Sequence, residues 1–192
     1  MIELIVALFI LILGVTSLVS LNITTVKTGA ENKDQILASN LAREGVEIVR
    51  NIRDSNWLAG KNFAAGLSSG NDYTGTIFYT FAPVFEMVFT ANSFEDDPLV
   101  STPIYIYNNF FYQPYPLLFV GSEKTKFKRL ITLDRICRNN TTDIETIRES
   151  GFSCDSATET LAGIRVYSDV QWTNTAGVIR TVRLEDKLYD WR

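Results

Sequence analysis

Few residues in this 192-residue chain could carry covalent chemistry. It has no histidine, which removes imidazole bases, histidine-containing triads and histidine metal sites together. Its two cysteines, Cys137 and Cys154, are too few for a structural zinc site or an iron–sulfur cluster. A pair among the 22 Asp and Glu residues could in principle hydrolyse a glycan, but no spacing singles one out. Walker A and HExxH patterns do not occur. Asp96 with Asp97, and Asp143 with Glu145, offer oxygen ligands without the spacing of a calcium loop. No enzymatic activity, cofactor or metal is expected. The formal charge of −4 argues against nucleic-acid binding, which needs a basic surface. Acceptor-type asparagines for glycosylation stand at Asn139 and Asn140, where an ordinary solvated loop is the favoured reading, and at Asn22, which falls in the apolar stalk.

One acid stands apart. Glu3 precedes Leu4 to Leu21, eighteen residues of nearly pure hydrocarbon, LIVALFILILGVTSLVSL. As a helix rising about 1.5 Å per residue this run reaches about 27 Å, close to a bilayer's hydrocarbon thickness. A secretory signal peptide would open on basic residues, and Met1-Ile2-Glu3 is acidic. A plain membrane anchor would show flanking Lys or Arg on its cytoplasmic side. A carboxylate beside an apolar helix is costly unless hydrated or paired. Favourable interaction with the helix dipole accounts for about 0.3–1 kcal/mol of that. Pairing with an α-amine, its own or a neighbour's, would also set the axial stagger between packed helices.

The segment MIELIVALFILILGV resembles the mature N-terminus of type IV pilins and of the pseudopilins of type II secretion systems. In that family a leader is cut after a glycine, the new N-terminal residue is N-methylated, and a glutamate follows ahead of an apolar helix. Glu3 matches that glutamate, slightly nearer the start than is usual, and Met1 takes the place of the methylated residue. The segments RLITLDRIC and VQWTNTAGVIRTVRLEDKLYDWR resemble the C-terminal sheet of PilV-like pilin proteins. The resemblance implies an α+β pilin-like lollipop: a long N-terminal α-helix, apolar in its protruding half and amphipathic in the other, packed on an antiparallel β-sheet head. It implies a subunit of a helical extracellular filament of identical copies, a type IV pilus or fimbrium used in adhesion or related roles. The inner membrane would hold the chain before assembly, with prepilin peptidase and the pilus assembly machinery as partners. A minor pilin, a pseudopilin for secretion or DNA uptake, and a non-polymerising membrane-tethered extracytoplasmic binding protein are the alternatives.

The elements needed to position these groups are legible in outline. Residues 1–25 form the hydrophobic membrane or filament-core helix and 26–56 its amphipathic continuation, with residues 57–192 as the β-rich extracellular head. In the continuation Ile36, Leu37, Leu41, Gly45, Ile48, Val49 and Ile52 recur on one face. Trp57 with Gly60 suits the exit. A helix of about 54 residues would be about 80 Å long. Gly14, Thr16, Ser17, Ser20, Asn22, Thr24 and Thr25 are mediocre helix formers. Around Gly14 and Asn22 the helix is expected to hold in a membrane; in a filament it either unwinds or uses its small residues for close packing.

Beyond Trp57, a Gly/Ser/Asn-rich connector runs to about residue 76. Aromatic and β-branched runs then predict strands, with most of the rings between Phe78 and Phe119 in the core and some at subunit contacts. Leu117 to Val120, GSEKTK, and Phe127 to Ile136 predict a hairpin. Ile164, Val166, Val170 and Trp172 alternate with Arg165, Tyr167, Asp169 and Gln171, a half-buried antiparallel strand. Thr173 to Gly177 turns it back into Val178 to Leu184. In an exported chain Cys137 and Cys154 would form one disulfide, worth about 3 kcal/mol by loop closure; the alternative is two buried thiols.

Overall fold

The computed structural model describes residues 2–67, 74–79, 85–89, 93–95, 101–114, 119–149 and 151–190. Met1, Asp96 and Asp97, and parts of the aromatic-rich stretch, lie outside the described residues. The fold is α+β: one long N-terminal helix, α1 (Ile2–Leu58), and an antiparallel eight-stranded sheet. The chain divides into two compact units, Met1–Leu37 and Ala38–Arg192.

The second unit holds the remainder of α1 and the sheet. Its strands are β1 (Thr74–Tyr79), β2 (Phe85–Val88), β3 (Pro103–Tyr107), β4 (Phe110–Tyr112), β5 (Glu123–Asn139), β6 (Glu145–Arg148), β7 (Glu159–Thr173) and β8 (Ile179–Tyr189). The 17-residue β5 is the spine. On one edge it pairs with β7 along its length, from Phe127↔Trp172 to Asn139↔Glu159, and β7 pairs with β8. On the other edge three short strands follow one another: β3 at Pro103↔Lys128, β1 at Thr74↔Thr132, and β6 at Arg135↔Arg148. A bulge between Ile136 and Cys137 shifts the β5–β7 register where the disulfide leaves the strand.

Period-2 alternation places Ile131 and Leu133 of β5 and Ile164, Val166 and Val170 of β7 against the helix. The helix contributes Ala38, Leu41, Ala42, Val46, Val49 and Ile52. Each fully buried Val, Leu or Ile adds about 1.5–3 kcal/mol relative to exposure. Gly45 sits where helix and sheet are closest: a Cβ there would lie 2.4 Å from Ser168 Oγ and 2.9 Å from Ile131 Cδ1. The helix ends as the Trp57–Gly60 signal predicts. Gly60 has φ +68°; its N–H donates to Trp57 O at 3.0 Å, and that of Lys61 donates to Asn56 O at 2.8 Å. These bonds satisfy the last helical carbonyls in a Schellman motif.

Several sequence expectations are corrected. Ile36 is 63% exposed, and the first buried helical residue is Ala38, so the apolar stripe meets the sheet later than the periodicity suggests. The GSEKTK segment is not a hairpin loop: Glu123 to Lys126 already belong to β5, whose partner there is β3. Gly121, at φ +87°, makes the turn. The β7–β8 turn spans residues 174–178, one position later than expected. Asn174 sets that frame by accepting from the N–H groups of Ala176 and Val178 at 3.0 and 2.9 Å. Among the described residues no ring between Phe78 and Phe119 is buried. Ile77, Met87 and Ile104 take the inward positions instead. Phe85 and Phe89, partly buried, pack against that core, while other rings pack on each other, Tyr107 stacking on Phe119 at 5.2 Å and Tyr112 lying 5.1 Å from Phe119.

Candidate assembly surface

Every large apolar side chain from Ile2 to Val26 is at least half exposed within its unit. The helix is long and apolar enough to cross a membrane. Six of its polar side chains are turned back onto their own backbone. Thr16 and Ser17 donate to Leu13 O at 3.0 and 2.9 Å. Asn22 donates to Leu18 O at 3.0 Å and Thr24 to Ser20 O at 3.0 Å. Thr25 donates to Leu21 O and Thr28 to Thr24 O, both at 2.9 Å. A hydroxyl satisfied this way enters an apolar phase without the cost of an orphan donor. Residues 14–25 are helical throughout. Gly14 presents an open notch, with nothing within 4 Å of where its Cβ would stand.

Glu3 lies in the first helical turn and is exposed. Met1, the expected methylated residue, is outside the described residues, so no geometry joins the two.

In the second unit, Cys137 on β5 and Cys154 before β7 form the expected disulfide, with Cα atoms 5.6 Å apart. The enclosed lobe is organised by Glu159, whose side chain is only 8% exposed. Its carboxylate accepts from Arg148 Nη2 at 2.9 Å and from the Asp155 N–H at 3.0 Å. First the Asp155 backbone N–H, then Arg148, hold its pKa below the ordinary carboxylate value. Asp155 is lowered likewise by the Ala157 N–H and the Thr158 hydroxyl. The Glu159 carboxylate and the Cys137 and Cys154 sulfurs lie within 4.8 Å of one another. Both sulfurs are bonded to each other, so no thiolate is left to hold a metal.

The two acceptor asparagines differ in setting. Asn139 Oδ1 accepts from the N–H groups of Thr141 and Thr142 at 2.9 and 3.0 Å, an Asx turn that ties up its side chain. Asn140 is exposed, and only its backbone is anchored, to Thr158 O at 2.9 Å. Glu145, weighed above as a calcium ligand, instead accepts from Arg138 at 2.9 Å and from the Tyr189 hydroxyl at 3.1 Å. The Arg138 bond foremost lowers its pKa.

Sequence reasoning missed the buried cluster around Arg129, which is 3% exposed. Its Nη1 donates to Leu41 O and Glu44 Oε2, both at 3.1 Å, and its Nε to Gln113 Oε1 at 3.0 Å. Gln113 Nε2 in turn reaches Arg129 O at 2.8 Å and Thr102 O at 3.0 Å. Burial lowers the guanidinium's pKa, and Glu44 opposes that shift. This cluster joins the residues before β3, those after β4, β5 and the helix within one unit. No local motif could have announced it, because its members lie far apart in sequence.

The chain matches no protein-family model, no curated protein and no solved structure.

Proposed function

We propose that this chain is a non-enzymatic structural subunit of a helical extracellular filament of the type IV pilus kind. In this reading the segment Leu4 to Leu21 holds it in the inner membrane before assembly. The supporting observation is the exposed apolar helix surface from Ile2 to Val26, with the hydroxyls of Thr16, Ser17, Thr24 and Thr25 satisfied internally and an acid at its edge. Lipid and the stalks of neighbouring copies are equivalent solvents for such a surface. Burial from water releases about 25 cal/mol per Å², but transfer from lipid to a helix bundle is nearly neutral. Packing and ion pairing therefore drive assembly, and the near-neutrality permits reversible extension and retraction. Glu3 takes a cation on a neighbouring copy, an α-amine as the resemblance implies.

Electron microscopy of the purified chain tests this reading. Fibres with the stalks inside are the expected result, and Glu3→Ala should lower their yield while the disulfide and sheet still form. Stalks standing apart in detergent or lipid, with no fibre under any condition, would refute it in favour of a membrane-tethered binding protein.

A further inference from the structure

Between Ile2 and Thr28 only two side chains are charged, Glu3 and Lys27. Hydroxyls and the amide of Asn22 in this stretch bond back to carbonyls of their own helix. Among the described residues, Glu3 and Lys27 have no ion-pair partner. They bound an uncharged segment, and about 36 Å of helix separates them at about 1.5 Å per residue.

We propose that a second copy of this chain stands beside it in parallel, displaced axially by about 36 Å, the helical distance from residue 3 to residue 27, so that the two uncharged segments abut end to end. The Glu3 carboxylate of one copy then meets the Lys27 ammonium of the other. The proposal rests on the filament reading and adds to it a register and a residue partner.

Three arguments select this arrangement. The charges are complementary, and each is costly in an apolar surround unless paired. Parallel copies in register would set Glu3 beside Glu3 and Lys27 beside Lys27, which like-charge repulsion disfavours. An offset contact is heterologous: each docking leaves a free Glu3 at one end and a free Lys27 at the other, so the assembly grows as an open helical polymer. Uncharged segments then tile end to end along the axis, with the charge neutralised at every joint. A carboxylate has two oxygens, so a nearer copy's α-amine can share Glu3. An antiparallel pair would also join the two charges, but it closes as a dimer and requires opposite membrane orientations.

Charge exchange in the full-length chain tests the pairing. E3K and K27E should each lower fibre yield about tenfold or more, and the E3K/K27E chain should recover most of it, the signature of a coupled pair. Absence of recovery overturns the proposal, since pairing with an α-amine alone predicts none. As a second measurement, the E3C/K27C chain is oxidised mildly under fibre-forming conditions, outside the membrane, where a disulfide needs Cα atoms within about 7 Å. A reducible ladder of covalent oligomers beyond the dimer, absent from E3C and K27C alone, is expected. Links in either single-cysteine chain, products that stop at the dimer, or no link at all overturn the offset. If the unsubstituted chain forms fibres while recovery and ladder fail, the register is wrong and the filament reading stands. If the unsubstituted chain never forms fibres, both fall.

Discussion

Replacing Gly45 by alanine probes how closely the helix is pressed onto the sheet. The new methyl would lie 2.4 Å from Ser168 Oγ, 2.9 Å from Ile131 Cδ1 and 3.2 Å from Arg129 Cδ. Ile131 is fully buried and Arg129 is held by three partners, so neither yields freely. Overpacking of this kind costs about 1–3 kcal/mol. Against it stands about 1 kcal/mol gained by replacing a helical glycine with alanine. Net destabilisation of up to about 2 kcal/mol is expected, a Tm loss of up to about 8 °C for a domain of this size. Ser168 Oγ is buried with no hydrogen-bond partner. Removing it in Ser168→Ala should therefore be neutral or stabilising by about 1 kcal/mol. Because that oxygen makes the closest contact, the double variant should recover much of the loss, with a coupling of about 1 kcal/mol. Thermal unfolding of the detergent-solubilised full chain, followed by the fluorescence of buried Trp57 and Trp172, measures all four corners. A Gly45→Ala chain stabilised by the full ~1 kcal/mol of helix propensity, or strictly additive substitutions, would refute the close-contact argument.

Reduction of Cys137–Cys154, or its replacement by two serines, should cost about 3 kcal/mol by loop closure, read as a Tm loss of about 6–12 °C. Glu159, Asp155 and Glu145 all have folded pKa values below their ordinary ones. Their contribution is thus fully present above the unfolded carboxylate pKa of about 4, and is lost as pH falls through the lower folded values. Thermal melts from neutral pH to about 3 should show this acid limb, and Glu159→Gln should flatten it. Arg129→Met should destabilise by about 2–3 kcal/mol, less than a fully buried pair would give. Glu44 is 42% exposed and regains water, while the Gln113 and Leu41 carbonyl oxygens are left short of a donor. Urea denaturation measures the loss, and an unchanged midpoint would contradict the assigned bonds.

What the residues alone determine is whatever depends on local pattern. An uninterrupted apolar run makes Ile2–Val26 a helix for an apolar surround, whatever packs beside it. A left-handed glycine after Trp57 ends α1, and strict alternation in β7 assigns its two faces. Two cysteines with no competing thiol leave a single intrachain pairing. Tertiary structure alone decides which competing apolar groups win the interior. Phe78 and Tyr105 have as much to gain from burial as Ile77 and Ile104, but register puts the isoleucines inward and leaves both rings half-buried. Helix periodicity marks Ile36 and Ile48 alike, yet Ile48 is buried in the core of the second unit and Ile36 is exposed. Arg129, Gln113 and Glu44 are ordinary polar residues in sequence, because their cost or benefit depends on partners brought together only when β5, the residues flanking β3 and β4, and the helix close on a shared interior.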